Sequence, residues 1–248
     1  MVVKSLLRFL FISLTAFFSL KAFTQVPDSV YYFNFAGTGS INKTNSGTAS
    51  IFNNGVKFNI IRKNFTINTL NSWIFGENES VKTNNDFLSV VDVDMLKSRR
   101  RIYYWALAGY ERSYSLNIND RFQIGGGLGL NIFSDKKAKL IISDGPLYET
   151  SHLAKPDQRG RNSYETVRNS FRIKFRFVIK ELLVIDGVDF LQNSLSDKND
   201  YNIRSNTSFS FKIKKWLSFT TAVSYNRLNL TGNENFLFNY GLSVEKYF

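Results

Sequence analysis

"ENFLFNYGLSVEKYF", residues 234–248, sets Phe236, Phe238, Tyr240, Leu242 and Val244 on alternate positions, with Phe248 in the same parity. Asn235, Leu237, Asn239, Gly241, Ser243 and Glu245 stand between them. A period of two is the period of a β-strand, here with one apolar face and one polar or small face. A strand this aromatic, left as an open edge in water, would recruit other chains. It needs a neighbour on each side and an apolar medium against its outer face.

The rest of the chain offers neighbours in quantity. From Val30 onward, strand-like stretches follow one another without a helical interruption, and twelve can be read, most of them ten to fifteen residues long. Strands of soluble proteins average about five or six residues, whereas tilted membrane-spanning strands need about nine to eleven. The clearest is "VRNSFRIKFRFVI" (167–179). Val167, Phe171, Ile173, Phe175, Phe177 and Ile179 share one face, and Arg168, Ser170, Arg172, Lys174 and Arg176 share the other. Inside a bilayer every backbone amide must be paired, so strands can cross it only as a closed barrel. Closure also removes the edge, because the last strand then pairs with the first. "ELLVIDGVDF" (181–190) breaks parity near Asp186 and Gly187, which reads as a bulge.

The connections repeat this reading in another form. "RKN" (62–64), "LKSRR" (96–100), "SDKK" (134–137), "KE" (180–181) and "KK" (214–215) are short. They alternate with longer polar segments, "NKTNSG", "NESVKTNN", "SYSLNIN", "SHLAKPDQRGRNS", "SLSDKN" and "TGNEN". Short periplasmic turns opposite longer outer loops are the habit of bacterial outer-membrane barrels, and an even strand number puts both termini in the periplasm. The fold class expected is therefore all-β, a transmembrane antiparallel barrel of about twelve strands.

The opening "MVVKSLLRFLFISLTAFFSLKAFTQ" has Lys4 and Arg8 ahead of an apolar run, Phe9 to Leu20, with Ala22 and Thr24 after it. That is the order of a secretory signal, and the run is too short to span a membrane as a helix. Residues 1–24 are read as the signal and 25–248 as the barrel, about 220 residues in one domain. Composition agrees: 24 Phe, 12 Tyr and 3 Trp, but only 3 Pro. With no cysteine, neither a lipidated cysteine nor a disulfide is available. The net charge of +12 falls to +9 without the three bases of the leader. An exported chain rarely meets nucleic acid, so acidic lipid headgroups and phosphorylated glycolipids are the expected counter-charges. The location that follows is the outer membrane of a Gram-negative bacterium.

The end of the chain resembles the sorting signal of outer-membrane barrels, which close on an aromatic after alternating apolar residues. Phe238, Tyr240, Leu242, Val244 and Phe248 fit, and the resemblance implies the barrel-assembly machinery as a partner. A longer stretch, "YYWALAGYERSYSLNINDRFQIGGGLGLNIFSDKKAKLIISDGPLYET" (103–150), carries Tyr103, Tyr104, the Glu111–Arg112 pair, Arg121 and Gly127–Leu128–Gly129. It is similar to the salt-induced outer-membrane protein family. That resemblance implies a barrel and brings no catalytic residues.

Three groups of candidate site residues follow. The inward parity collects a basic series, Arg168, Arg172, Lys174, Arg176, Arg204 and Lys212, against acidic Asp92, Asp94 and Glu111. A lumen filled or narrowed by ion pairs is the favoured reading, ahead of a charged passage favouring small anions. Lys155, Arg159 and Arg161 of the longest outer segment are placed to meet glycolipid phosphate. His152, the only histidine, lies in that segment beside Ser151, which leaves a lipid hydrolase as the rival from another class. A secreted soluble β-protein holding an apolar ligand is a third reading. "GGGLG" (125–129) has no helix after it and so is no phosphate loop. No metal site and no cofactor is expected, with one histidine, no cysteine and no dense carboxylate group.

Overall fold

The computed structural model describes residues 29–44, 47–95, 101–135 and 137–248. The leader and the 96–100 connection lie outside these. Among the described residues, the secondary structure is β throughout, in thirteen strand segments of one sheet. They are β1 (Ser29–Thr44), β2 (Gly47–Arg62), β3 (Phe65–Asn78), β4 (Val81–Met95), β5 (Ile102–Ser113), β6 (Ile118–Ser134), β7 (Ala138–Asp144), β8 (Pro146–Leu153), β9 (Ser163–Ile179), β10 (Leu183–Ser194), β11 (Tyr201–Lys212), β12 (Leu217–Leu228) and β13 (Asn233–Tyr247). Every pairing is antiparallel. β7 and β8 both lie between β6 and β9 and are parted only by Gly145, so they form one stave. Twelve staves result, and β13 closes the ring on β1 with Tyr32 opposite Tyr247 and Gly39 opposite Tyr240. Phe248 completes the seam by donating its N–H to the Tyr31 carbonyl at 2.9 Å and accepting from Tyr31 at 3.2 Å.

The period of two governs both faces. On β13, Phe236, Phe238, Tyr240, Leu242 and Val244 are exposed on the outer wall while Asn239 and Ser243 are buried inside. On β9, Arg168, Ser170 and Arg172 are buried inward and Val167, Phe177 and Ile179 are exposed outward.

Three local expectations change. The parity break in β10 is not a bulge, because the register runs unbroken from Leu183 to Asn193 against both β9 and β11. Its effect is chemical: Val184 is buried inside, Phe190 meets Arg172 in the lumen, and Asp189 takes a hydrogen bond from Ser205 Oγ at 2.6 Å on the outer wall. Irregularities sit elsewhere, at Gly76/Glu77, Glu111/Ser113, Ile118/Asp120, Asn131/Phe133 and Gly145. At Gly145 the backbones close in, and a Cβ there or on Gly127 would overlap the facing strand. Second, the strands outrun their apolar pattern. β4 begins at Val81, directly after a two-residue turn in which Glu79 and Ser80 have φ of 49° and 65°. Both values are positive, as the tightest hairpins of right-handed twist require. Third, His152 lies within β8 and pairs with Asp120 of β6, so it is a wall residue and not part of a loop.

Candidate functional site

Inward side chains stack in layers along the barrel. The mouth far from Ser29 and Phe248 holds an apolar cluster, Leu116, Ile118, Leu153, Tyr164, Leu228 and Leu230. Leu116 is brought there by the β5–β6 turn, which Asp86 organises. One Asp86 oxygen accepts the Ser115 N–H at 3.0 Å and the Ser113 hydroxyl at 2.8 Å, and the other accepts the Ser115 hydroxyl at 2.8 Å.

Beneath that cluster charged side chains are buried against one another. Arg168, wholly buried, pairs with Glu149 at 2.9 Å and Asp200 at 2.8 Å, and the Tyr164 hydroxyl donates to the same Glu149 oxygen at 2.8 Å. Glu111 receives Arg121 of the adjoining β6 and, across the lumen, Arg204 of β11 at 2.7 Å. Midway down, Arg172 reaches from β9 to Asp92 of β4 at 2.9 Å and lies 5.2 Å from the Trp105 ring centre. Lys174 holds the second Asp92 oxygen at 2.7 Å, and Asp94 lies 3.8 Å from Arg172. A second apolar cluster, Tyr103, Trp105, Leu107, Ile141 and Leu147, packs beside them, with the Tyr103 ring lying over Gly129. Buried charges survive only when paired and hydrogen-bonded, and here each of these arginines has its carboxylate.

Toward the terminus end the pairs loosen. Lys212 meets Glu245 at 3.1 Å, and Lys57 of β2 meets Asp186 of β10 at 3.8 Å with both side chains partly exposed. Arg176 faces inward at the same end, half-buried.

Of the residues singled out from sequence, Arg172, Lys174, Asp92 and Asp94 come together, as do Arg204 and Glu111. Arg168 meets Glu149 and Asp200, and Lys212 meets Glu245, three carboxylates not singled out from sequence. Glu149, Asp200, Asp186, Glu245 and Lys57 complete the lumen. Parity was the available signal for four of them: Leu147, Glu149, Ser151 and Leu153 share a face of β8, Gly55, Lys57 and Asn59 one of β2, Val184 and Asp186 one of β10, and Asn239, Ser243 and Glu245 one of β13.

The outer loop between β8 and β9 is built around Asp157. Its carboxylate accepts the N–H groups of Arg159 at 2.8 Å and Arg161 at 2.9 Å, and Arg161 Nε at 2.9 Å. Burial pushes that carboxyl up, but the Arg161 and Arg159 N–H donors and the Arg161 guanidinium hold it below the ordinary carboxylate value. Arg159 pairs with Asp197 of the next loop. Lys155 has no ion pair among the described residues. Two of the three loop bases are thus already compensated within the chain.

Ser151 and His152 cannot act as a nucleophile and base. Neighbours on a strand face opposite ways. Ser151 is fully buried inside, while His152 is exposed outside with Nδ1 2.7 Å from Asp120 Oδ1. No cluster of three or more potential metal ligands exists among the described residues.

No curated protein matches the sequence. Among solved structures, the chain is similar to the translocator domain of the autotransporter NalP from Neisseria meningitidis at 10% identity, covering 94% of this chain and 92% of that one, with a TM-score of 0.49. It is similar to the NanC porin at 12% identity, 88% and 98% coverage and a TM-score of 0.48. A third likeness is to an outer membrane channel from Pseudomonas putida F1, at 10% identity, 92% and 100% coverage and a TM-score of 0.44. A family model described as "Protein of unknown function, DUF481" matches residues 38–235, from the first strand into the last, and the chain belongs to that family.

Proposed function

We propose that this protein is a non-enzymatic, porin-like barrel of the Gram-negative outer membrane, giving small solutes, anions above all, a narrow passage. The observation that carries the reading is the lumen wall itself. Besides its apolar clusters it carries charged side chains of both signs, and several of the bases keep contact with water: the Lys57 side chain is 45% exposed, Lys212 29% and Lys174 27%. Partly solvated cations along a passage raise the local concentration of anions and lower that of cations. The apolar outer wall supplies the membrane contact, and the termini sit on the periplasmic side. The Phe238 to Phe248 pattern on β13 is what the assembly machinery would read. Lys155, the uncompensated base of the outer loop, is the candidate contact for glycolipid phosphate. A part in osmotic stress would follow from the salt-induced family resemblance.

Solute release from proteoliposomes tests the passage. Small anions should leave faster than cations of equal size, and large sugars should be retained. Vesicles containing heat-modifiable, folded barrel that release none of these solutes would overturn the proposal.

A further inference from the structure

Solute passage, if the preceding proposal holds, needs a path, and the far mouth is divided in a way that locates it. Asn233 Nδ2 of β13 donates to the Leu116 carbonyl at 3.2 Å, and Asn235 Nδ2 to Ser115 Oγ at 2.9 Å. These bonds run from β13 to the β5–β6 turn and cut the ring of staves into two arcs, β1–β4 and β6–β12. The sealing material lies in the larger arc and along its β5 border. The apolar cluster of the mouth is there, and so are the buried arginines Arg121 and Arg168.

In the smaller arc, β4 shares in the buried charge network through Asp92 and Asp94, but β1 and β2 are different. None of the residues 31–40 or 48–62 in β1 and β2 is buried, although half of them face inward. Gly55, in the middle of β2, faces inward, and a Cβ placed on it would find nothing within 4 Å. Such a position marks open space in a wall where Gly129, by contrast, is covered by Tyr103. Two residues along the same inward row stands Lys57, which reaches across the lumen to Asp186 at 3.8 Å.

We infer that solutes cross along the β1–β3 wall of that arc past Gly55, and that Lys57, facing Asp186, sets the charge preference. The buried arginines act as struts. Arg168 and Arg172 are neutralised by carboxylates at 2.8–2.9 Å and hidden from water, so a passing ion meets little of their charge. Lys57 and Asp186 form a long, partly exposed pair, of the kind that contributes little and that a passing ion can displace at small cost. Such a pair can exchange partners with a solute. A buried pair cannot do so without stranding its own charge. Polar side chains without charge, Thr38, Asn53 and Ser72 among them, line the same arc and suit a hydrated or hydroxylated small anion.

The chain has no cysteine, so one introduced thiol reports alone. Gly55→Cys in the refolded barrel is treated with an anionic and a cationic methanethiosulfonate reagent, with mass and conductance both read. The anionic reagent should react several-fold faster, and reaction should remove more than half of the conductance. Adding Lys57→Glu should reverse both the reagent order and the ion preference. Thr38→Cys, on the adjoining strand, serves if Gly55→Cys misfolds. Full modification with conductance unchanged would move the path away from β2 and overturn this inference while leaving the passage intact. An unreactive thiol would contradict the open space, and an ion preference indifferent to Lys57→Glu would return selectivity to the arginines. An unmodified barrel that never conducts would overturn the passage and this inference together.

Discussion

At the scale of single residues, the lumen is a set of charges whose neighbours decide what each can do. Arg168 illustrates the strut. It is buried between Glu149 and Asp200, so truncating it leaves Asp200 out of water without its ion pair and Glu149 with only the charge of nearby Arg121. Arg168→Met should cost about 3–5 kcal/mol, the usual penalty for breaking a buried pair from one side. Urea unfolding in detergent micelles, followed by the heat-modifiable gel shift, measures it. Adding Glu149→Gln should restore part of the loss, because one stranded charge is then gone. A cost under about 1 kcal/mol for the single variant would mean that water reaches the site. That Arg168 faces inward was legible in "VRNSFRIKFRFVI", since parity assigns a face. Its partners were not legible. Asp200 lies in the β10–β11 connection, where no period operates, and Arg204 finds Glu111 across the lumen. Such partners depend on how far the strands are staggered when the ring closes, a quantity absent from any one strand.

Elements show the opposite balance. Length, alternation and the phase of the connections were readable because each is local, and "AKLIISDGPLYET" already reads as one stave despite its break at Gly145. The ends were not readable. Polar rim residues such as Asn84 continue the ladder above the apolar band, and a backbone that can pair with its neighbour does so whatever its side chains prefer. His152 was misplaced for that reason, since "SHL" carries no alternation of its own. The terminal strand gives the sharpest check on facing. Phe238→Arg puts a cation on the apolar outer wall and should destabilise the barrel by about 2–4 kcal/mol if that position lies near the membrane midplane. Leu237→Asn, one residue away on the inner face, should cost less than about 1.5 kcal/mol, because polar neighbours already line that side. Refolding yield into thin bilayers compares the two. Equal tolerance would deny that β13 presents its aromatic face to lipid.

As a whole, the molecule is asymmetric about its axis. The larger part of its lumen is a packed interior of paired charges and aromatic side chains, and the part along β1 and β2 is small, polar and open beside Gly55. The packed part does for a barrel what a core does for a soluble domain, holding the ring rigid so that the open part keeps its width. Neither part is evident from composition, because Asn, Ser and Gly line the inner walls of plugged and open barrels alike. What separates them is which inward residues remain in contact with water once the ring has closed. The central claim is that the open part conducts, and the direct measurement is the reversal potential of single channels in a planar bilayer under a potassium chloride gradient. Discrete openings whose reversal potential lies on the chloride side of zero are the predicted result. A folded barrel that inserts yet stays silent, or that reverses on the potassium side, would contradict the account.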